Sequence, residues 1–437
     1  MGSPGPTRRA RASSWVFLSL ILFGPLCLHL LGVFACVRHH SDFRFGRLDF
    51  LVLLVTLLYA GAAGWALSRR AFALRFVCVV YAGLLVGGAT ELFFFIKDPV
   101  RHRHLPRAPM HLLSMAADTM PGISGQISIT VNHLGIRAPE VPLPSLDHRI
   151  LCVGGSAVEC FHVTDEKSWP WLLGSLLSQQ LGEPVYVGNA GKSGQIAAHH
   201  EYLLRYYDYA EQFKWVVVMC GINDLGALLR HNYAQRIALL PEETFCQPPA
   251  LGPYYRRLAW LRVLTPDGGL PGILQDQAGL VYRDLRAKRK EMLERKTFTS
   301  PPADLPAGLA QYKTDLERLV MLCQKRNQKL LLLTHPSLYQ TNMPARLSSL
   351  LWEYTDDGAY SPEVMAQMMD QYNSVMKSVC REQHVELIDM AALVPKDTTA
   401  LYDDVHLNIG GCRQVAEILA EYFKPKLPRG GSQRGPL

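Results

Sequence analysis

The amino-acid sequence predicts an α/β domain built on a doubly wound parallel sheet and preceded by three transmembrane helices. Two observations support this prediction. Short apolar runs alternate with amphipathic stretches over most of the chain, and longer apolar runs dominate its N-terminal region. The chain has 437 residues, which also favours two regions because a single hydrophobic core usually stops growing near ~250 to 300 residues.

Three N-terminal apolar stretches are each close to the ~20 residues that an α-helix needs to cross a hydrocarbon core. They run from Trp15 to Val37, from Leu48 to Leu67 and from Phe76 to Ile96. We therefore predict a membrane region over residues 1–97 and a multi-pass membrane protein. A signal peptide is the alternative interpretation of the first stretch. The N-terminal tail, the two loops and the residues after the third stretch carry similar numbers of positive charges, so the positive-inside rule decides little. We favour a non-cytoplasmic position for everything after Lys97.

The composition argues against several kinds of partner. The formal net charge is +7, but many arginines flank the apolar stretches, where basic residues contact anionic headgroups or set topology. We find no motif for nucleic acid and no paired C-x-x-C spacing for zinc. We therefore predict neither a nucleic-acid partner nor a metal. The ten cysteines have no repeating spacing, which does not indicate a disulfide framework.

The region after residue 145 carries the alternation that predicts the parallel sheet. Buried strands are predicted at Arg149–Val153, Val185–Val187, Trp215–Cys220, Lys329–Leu333 and Val385–Ile388. Amphipathic helices are predicted at Trp169–Leu181, Ala197–Phe213, Leu305–Asn327, Pro362–Gln383 and Gly411–Phe423. This β-α-β-α order implies parallel strands, with ligands bound beyond their carboxyl ends.

The remaining segments complete the predicted domain organisation. Residues 98–145 are interpreted as a linker and lead-in, because they are rich in Pro, Arg and His and show no sustained periodicity. The globular domain is predicted over 146–427. It contains an irregular insertion at about 225–305 that could cap a site, and a disordered tail follows at 428–437.

Polar residues follow three of the predicted strands. Ser156 follows the first strand after two glycines, a glycine-rich stretch from Gly188 to Gly194 follows the second, and Asn223 follows the third. Each segment alone is also compatible with a tight turn, and the first with a phosphate cradle. The carboxyl ends of parallel strands share one crevice, so these segments are expected to converge.

A carboxylate and a histidine lie just before the last predicted helix, in Asp403-Asp404-Val405-His406. A carboxylate three residues before a histidine can reach its ring, fix the tautomer and stabilise the imidazolium. This spacing selects Asp403, and we expect Asp404 to be a surface acid. We also expect Asp224 to cap the segment that follows it, and His335 to be structural.

The order Ser, Gly, Asn and D-x-x-H resembles the SGNH (GDSL-like) hydrolase family over roughly Ile150 to Phe423. The resemblance implies a flavodoxin-like fold. It also implies a triad in which Ser156 is the nucleophile, His406 the general base and Asp403 the residue that orients His406. The implied oxyanion hole consists of the Ser156 amide, the Gly194 amide and the Asn223 side chain, with Gly191 as the alternative to Gly194.

One position departs from the family pattern. Gly155 stands where the Gly-Asp-Ser signature has aspartate, so a turn-stabilising acceptor is missing before the nucleophile. Membrane-tethered relatives look similar in having Gly-Gly-Ser. The run from Asn132 to Arg137 also resembles their lead-in.

These features lead to three functional hypotheses. The first is a serine esterase or acyl hydrolase that forms an acyl-enzyme on an ester of a lipid or envelope glycan and needs no metal or organic cofactor. The second is an O-acyltransferase that uses the same triad. The third is a non-catalytic, membrane-anchored protein that binds a glycan or lipid. The oligomeric state stays open.

Overall fold

The computed structural model describes residues 104–107, 110–115, 119–140, 146–245 and 278–427. The three predicted transmembrane spans, the C-terminal tail and the middle of the predicted insertion lie outside these residues. The membrane region and the tail therefore stay predictions. Within the described part of the chain, no helix combines the length and the apolar character needed to cross a bilayer.

A five-stranded parallel sheet forms the centre of the domain, as predicted. In chain order the strands are β1 (Met110–Met115), β2 (Gln126–Val131), β3 (His148–Gly154), β4 (Val185–Asn189), β5 (Trp215–Met219), β6 (Thr297–Phe298), β7 (Lys329–Leu333), β8 (Ala359–Tyr360) and β9 (Glu386–Ile388). The central sheet has the order β4-β3-β5-β7-β9, which is the 2-1-3-4-5 order of flavodoxin-like folds.

The strand register brings the carboxyl ends of the central strands to one edge of the sheet. Gly154 at the end of β3 pairs with Met219 of β5, and Met219 pairs with Leu333 of β7. Both β4 and β5 are buried along their whole length. Burial on both faces explains why these strands are continuous apolar runs instead of alternating ones.

Twelve α-helices are found in the described residues. They are α1 (Ser156–Glu159), α2 (Trp169–Leu181), α3 (Ala197–Tyr206), α4 (Ile222–Leu229), α5 (Tyr233–Ala238), α6 (Leu240–Thr244), α7 (Ala278–Arg295), α8 (Leu305–Lys325), α9 (Ala345–Ser348), α10 (Pro362–Gln383), α11 (Met390–Leu393) and α12 (Ile409–Phe423). Helices α2 and α10 have the predicted bounds. Helix α3 ends seven residues early, and a short 3₁₀ turn follows at Ala210–Gln212.

Helix α10 shows how local sequence sets such bounds. The Ser361 hydroxyl accepts a hydrogen bond from the amide of Val364, and Pro362 occupies the first turn, where its missing N–H is not needed. The helix ends at Gln383, and the next residue, His384, has a φ of 54°. These signals are local, which is why the bounds predicted from the sequence agree with the structure.

Part of the segment predicted as a linker and lead-in packs into the domain instead. Strands β1 and β2 form an antiparallel hairpin, and the side chains of Leu105, Ile136 and Ala138 are buried in the main core. Strands β1 and β2 are short and separated by turns. The sequence of the lead-in therefore shows no periodicity from which this packing could be predicted.

Arg137 of this lead-in is buried and makes four side-chain hydrogen bonds. Its Nε atom donates to Asp165 at 2.5 Å, and Nη1 donates to the carbonyls of Glu159 and Cys160 at 2.7 and 2.8 Å. Nη2 donates to the carbonyl of Val163. Removing one partner of a buried ion pair typically costs about 3 to 5 kcal/mol, so Arg137 anchors the segment after α1 firmly.

Candidate active site

The sheet edge brings the sequence-predicted site residues together in one cleft. Ser156 begins α1 directly after β3, and Asn223 lies in the first turn of α4 after β5. Gly194 lies in the loop between β4 and α3, and His406 lies just before α12. All four line a cleft of about 500 Å³.

Ser156, His406 and Asp403 form a continuous hydrogen-bonded chain. The Ser156 Oγ atom lies 2.7 Å from His406 Nε2. His406 Nδ1 lies 2.8 Å from both carboxylate oxygens of Asp403. Asp403 Oδ1 also accepts the amides of Val405 and His406 at 3.1 and 2.9 Å, which holds the carboxylate in place. This geometry allows His406 to accept the Ser156 proton while Asp403 stabilises the resulting imidazolium.

The pKa shifts of Asp403 and His406 favour this proton transfer from Ser156 to His406. Burial raises the pKa of Asp403, but the nearby His406 ring and the two backbone amides outweigh it, and the net pKa is lowered. Burial lowers the pKa of His406, whereas the Asp403 carboxylate raises it, and the net pKa is raised. Asp403 therefore carries its charge at neutral pH and makes His406 a stronger base.

Three aromatic rings surround the His406 imidazole. The Tyr402 ring is nearly parallel to it at a centroid distance of 5.5 Å, and the Trp352 ring is nearly parallel at 6.5 Å. Tyr282 of α7 meets it edge-on at 6.4 Å. These three residues are not among the site residues predicted from the sequence, because nothing in their local pattern indicates that they converge on His406.

Asp404 is buried, so the prediction of a surface acid is wrong. Its carboxylate accepts the Tyr339 hydroxyl and the amides of Trp352 and Glu353. Burial, followed by the charge of Asp403, raises the pKa of Asp404 to about 7. Asp404 therefore holds the backbone of Trp352 and Glu353 beside the His406 loop.

Two of the predicted oxyanion donors face the cleft in a defined arrangement. Gly194 has a φ of +79°, a left-handed conformation that favours glycine. The Asn223 Nδ2 atom donates to the carbonyl of Gln195 at 2.9 Å, which fixes the side chain and leaves its second N–H. The alternative residue, Gly191, donates its amide to Asn189 Oδ1 at 2.9 Å, and its backbone packs against α1.

The structure gives a steric reason for glycine at position 155. A Cβ atom added to Gly155 would lie 2.3 Å from Asn223 Nδ2, which is closer than real Cβ contacts. A side chain at this position would therefore displace the Asn223 amide. The departure from Gly-Asp-Ser allows β3 and α4 to approach closely.

Glu159 ties the nucleophile helix to the glycine-rich loop. Its Oε2 atom accepts the amide of Ser193 at 2.5 Å and also the Ser193 hydroxyl. Its Oε1 atom accepts a hydrogen bond from Arg107 at 2.5 Å. Ser193 directly precedes Gly194, so this link joins the loops that carry Ser156 and Gly194. The sequence analysis did not identify Glu159.

The other polar residues that the sequence analysis considered have structural contacts. Asp224 Oδ1 accepts the amide of Ala197 at 2.9 Å, so Asp224 caps α3, and its carboxylate also bonds to the backbone of Gly221 at the start of α4. His335 is buried and bonds to the carbonyl of Pro336 and, through its amide, to Asn373. Within the described ranges, no group of three or more His, Cys, Asp or Glu residues is arranged to hold a metal ion.

The pH dependence of Ser156 reactivity is expected to follow the protonation of His406. The raised pKa of His406 predicts that the rate of fluorophosphonate labelling falls on acidification with a midpoint above ~6.5, its ordinary value. In Asp403→Asn the midpoint should shift to lower pH, and the rate should fall by about 10⁴-fold. Labelling rates measured across a pH series test this. A midpoint that does not move in Asp403→Asn would contradict the assigned coupling.

Substitutions at Gly155 are expected to act through Asn223. Gly155→Ala and Gly155→Asp should each lower the labelling rate by about 10²-fold, because a displaced oxyanion donor costs about that much. Gly174→Ala is the matched control, since a Cβ there would meet neighbours only at 3.4 Å or more. Wild-type rates in Gly155→Asp would show that Asn223 tolerates a side chain at position 155.

Comparison with solved structures finds similar but distant folds. Axe2, an acetylxylan esterase from Geobacillus stearothermophilus, has 16% sequence identity and a TM-score of 0.36, and the match covers 66% of this chain and 98% of that chain. LAE5, an α/β hydrolase from the metagenome of Lake Arreo in Spain, has 14% identity and a TM-score of 0.34, with 63% and 94% covered. Comparison with curated protein sequences gave no match.

The family model gives the decisive comparison. The model of the GDSL-like lipase/acylhydrolase family matches residues 152–414. This range is more than half of the chain, and it includes Ser156, Gly194, Asn223, Asp403 and His406. The chain therefore belongs to the GDSL-like lipase/acylhydrolase family and is a serine ester hydrolase of the SGNH type.

Proposed function

We propose that this enzyme cleaves its ester through an acyl-enzyme on Ser156. The observation that carries the proposal is the hydrogen-bonded chain from Ser156 Oγ through His406 to Asp403. Ser156 Oγ attacks the ester carbonyl carbon, and its proton passes to His406 Nε2. The tetrahedral intermediate then collapses, the C–O bond to the alcohol breaks, and His406 gives the proton to the leaving alcohol.

The second half of the reaction uses the same groups with water. His406 Nε2 removes a proton from a water molecule that attacks the acyl carbon. Collapse of this second intermediate breaks the bond to Ser156 Oγ, which takes the proton back from His406. In both intermediates the Ser156 and Gly194 amides and the Asn223 side chain donate to the oxyanion.

We further propose that the acyl group is apolar, so that a lipid ester is the substrate in preference to an envelope glycan ester. The lining of the cleft supports this choice. It includes the apolar side chains of Phe161, Val281, Leu285 and Trp352. Binding an acyl chain there would remove apolar surface from water, which is favourable by roughly 25 cal/mol per Å².

A membrane position would give such an enzyme direct access to lipids. We propose that residues 1–97 anchor it through three spans and that the hydrolase domain lies on the non-cytoplasmic side. The apolar stretches and their lengths support the anchor.

Covalent labelling tests the catalytic proposal. The full-length protein should react with a fluorophosphonate probe, because an activated serine attacks phosphorus as it attacks a carbonyl. Ser156→Ala and His406→Ala should not react, and Ser349→Ala, a change of an exposed serine, should react like the wild type. If folded wild-type protein is never labelled, the hydrolytic proposal fails and a binding role replaces it.

Membrane extraction tests the anchor. After expression of the full-length chain, the protein should remain in the membrane pellet in alkaline carbonate, since spanning helices are not released by breaking surface contacts. Protease added to intact cells should cleave the hydrolase domain. Release into the supernatant would contradict the spans, and full protection from protease would contradict the orientation.

A further inference from the structure

The lining of the cleft combines apolar side chains, among them Phe161, Val281 and Leu285, with two arginines. Besides these side chains, the cleft is lined by Arg230 and Arg236, which we call the arginine wall. The acyl-transfer steps described above do not use these residues. A positively charged surface beside a reacting ester needs a reason, because it lowers the affinity for cationic ligands and raises it for anionic ones.

We propose that the arginine wall binds an anionic group of the substrate, so that the enzyme acts on esters that carry a carboxylate or phosphate close to the scissile bond. This inference rests on the proposed function, since it identifies the substrate of that same site. The shared chemistry is a charged oxyanion group that accepts hydrogen bonds from guanidinium. It can belong to the alcohol part of the ester or to a charged end of an otherwise apolar acyl group.

Arg236 lies beside one of the proposed oxyanion donors. A Cβ atom added to Gly194 would lie 3.5 Å from Arg236 Nη2, so the guanidinium and the Gly194 backbone are neighbours. Arg236 comes from α5, which is separate from the elements that carry Ser156 and His406. An anion bound at Arg236 would therefore lie close to the ester carbonyl without contacting the triad.

Arg230 reaches the same wall by folding back along α4. Asn223, Gly226 and Arg230 are spaced by three and four residues and share one face of this segment. A Cβ atom added to Gly226 would lie 2.9 Å from Arg230 Nη1. Glycine at position 226 thus leaves room for the arginine over the helix, on the face that also presents Asn223.

The acidic partners of the two arginines differ in their position relative to the cleft. Arg230 forms an ion pair with Glu353, which itself lines the cleft. Arg236 forms an ion pair with Glu243 at 3.1 Å, but Glu243 is not among the residues that line the cleft. The carboxylate that offsets Arg230 thus lies among the residues that line the cleft, whereas the one that offsets Arg236 lies outside them.

The bonding of Arg236 leaves donors for a ligand. A guanidinium has five N–H donors, and Glu243 is the acceptor that the described part of the chain provides for Arg236. Its side chain is 19% exposed, so it is held in place while still in contact with the cleft. A partly exposed, fixed arginine suits recognition of a carboxylate or phosphate.

A purely structural role for Arg236 makes a different prediction. The Glu243 pair joins α5 to α6, and Glu243 also contacts His199 at 2.8 Å. If joining these helices were the only function of Arg236, its replacement would lower stability without changing which esters are preferred. Substrate preference therefore distinguishes the two roles.

The test compares matched esters that differ in charge. One pair is a 4-acyloxybenzoate and the corresponding 4-acyloxybenzamide, which place a carboxylate or a neutral amide on the leaving alcohol. The second pair is the phenyl monoester of a dicarboxylic acid and its terminal amide, which place the charge on the acyl group. The ratio of kcat/KM within each pair measures the preference for the anion and is insensitive to a general loss of activity.

Wild-type enzyme should prefer the anionic member of one pair by about tenfold, the ratio expected for one charge-assisted hydrogen bond. The pair that shows the preference identifies the part of the ester that carries the charge. Arg236→Gln should abolish this ratio, and Arg230→Gln should reduce it. Arg205→Gln is the matched control, because Arg205 is exposed and pairs with Glu201 of its own helix.

Each remaining outcome contradicts the proposal in a recognisable way. Equal kcat/KM values within both pairs for the wild type would overturn it, as would an unchanged preference in Arg236→Gln. Fluorophosphonate labelling of the same preparations separates these results from failure of the proposed function. If the enzyme is labelled but does not prefer the anionic ester, only the proposal that the arginine wall binds an anion is contradicted. If the wild type is not labelled, the proposed acyl-enzyme on Ser156 is contradicted.

Discussion

The buried guanidinium of Arg137 holds the segment on which the active site is built. It pairs with Asp165 and donates to the carbonyls of Glu159 at the end of α1 and of Cys160 and Val163 in the loop that follows. Helix α1 is a single turn that ends at Cys160 with a φ of 53°, so few hydrogen bonds of its own stabilise it. The orientation of Ser156 therefore depends on a residue that precedes the sheet in the chain.

Two neighbouring carboxyl groups next to His406 have different environments and different roles. Asp403 accepts hydrogen bonds from His406 and from backbone amides, and its pKa is lowered. Asp404 is buried beside a like charge, and its pKa is raised to about 7. Two adjacent buried carboxylates cannot both ionise cheaply. The arrangement thus concentrates the negative charge on the group that contacts the imidazole.

Close backbone approach is the second feature that shapes the cleft. Gly155 allows the Asn223 amide to lie against the nucleophile loop, and Gly226 allows Arg230 to fold over α4. Glu159 then links α1 to the loop of Gly194. Ser156, Gly194, Asn223, Arg230 and Arg236 are consequently parts of one packed unit, so a change in one loop is transmitted to the others.

The sequence by itself determined the central sheet, its helices and the residues of the triad chain. Buried parallel strands are continuous apolar runs, the carboxyl ends of such strands share one edge, and the D-x-x-H spacing is local. Only the tertiary structure decided that Tyr282 and Trp352 enclose His406, that Arg137 and Glu159 hold the nucleophile helix, and that Asp404 is buried. These contacts join residues far apart in the chain, and burial of a polar side chain depends on partners that no local pattern reveals.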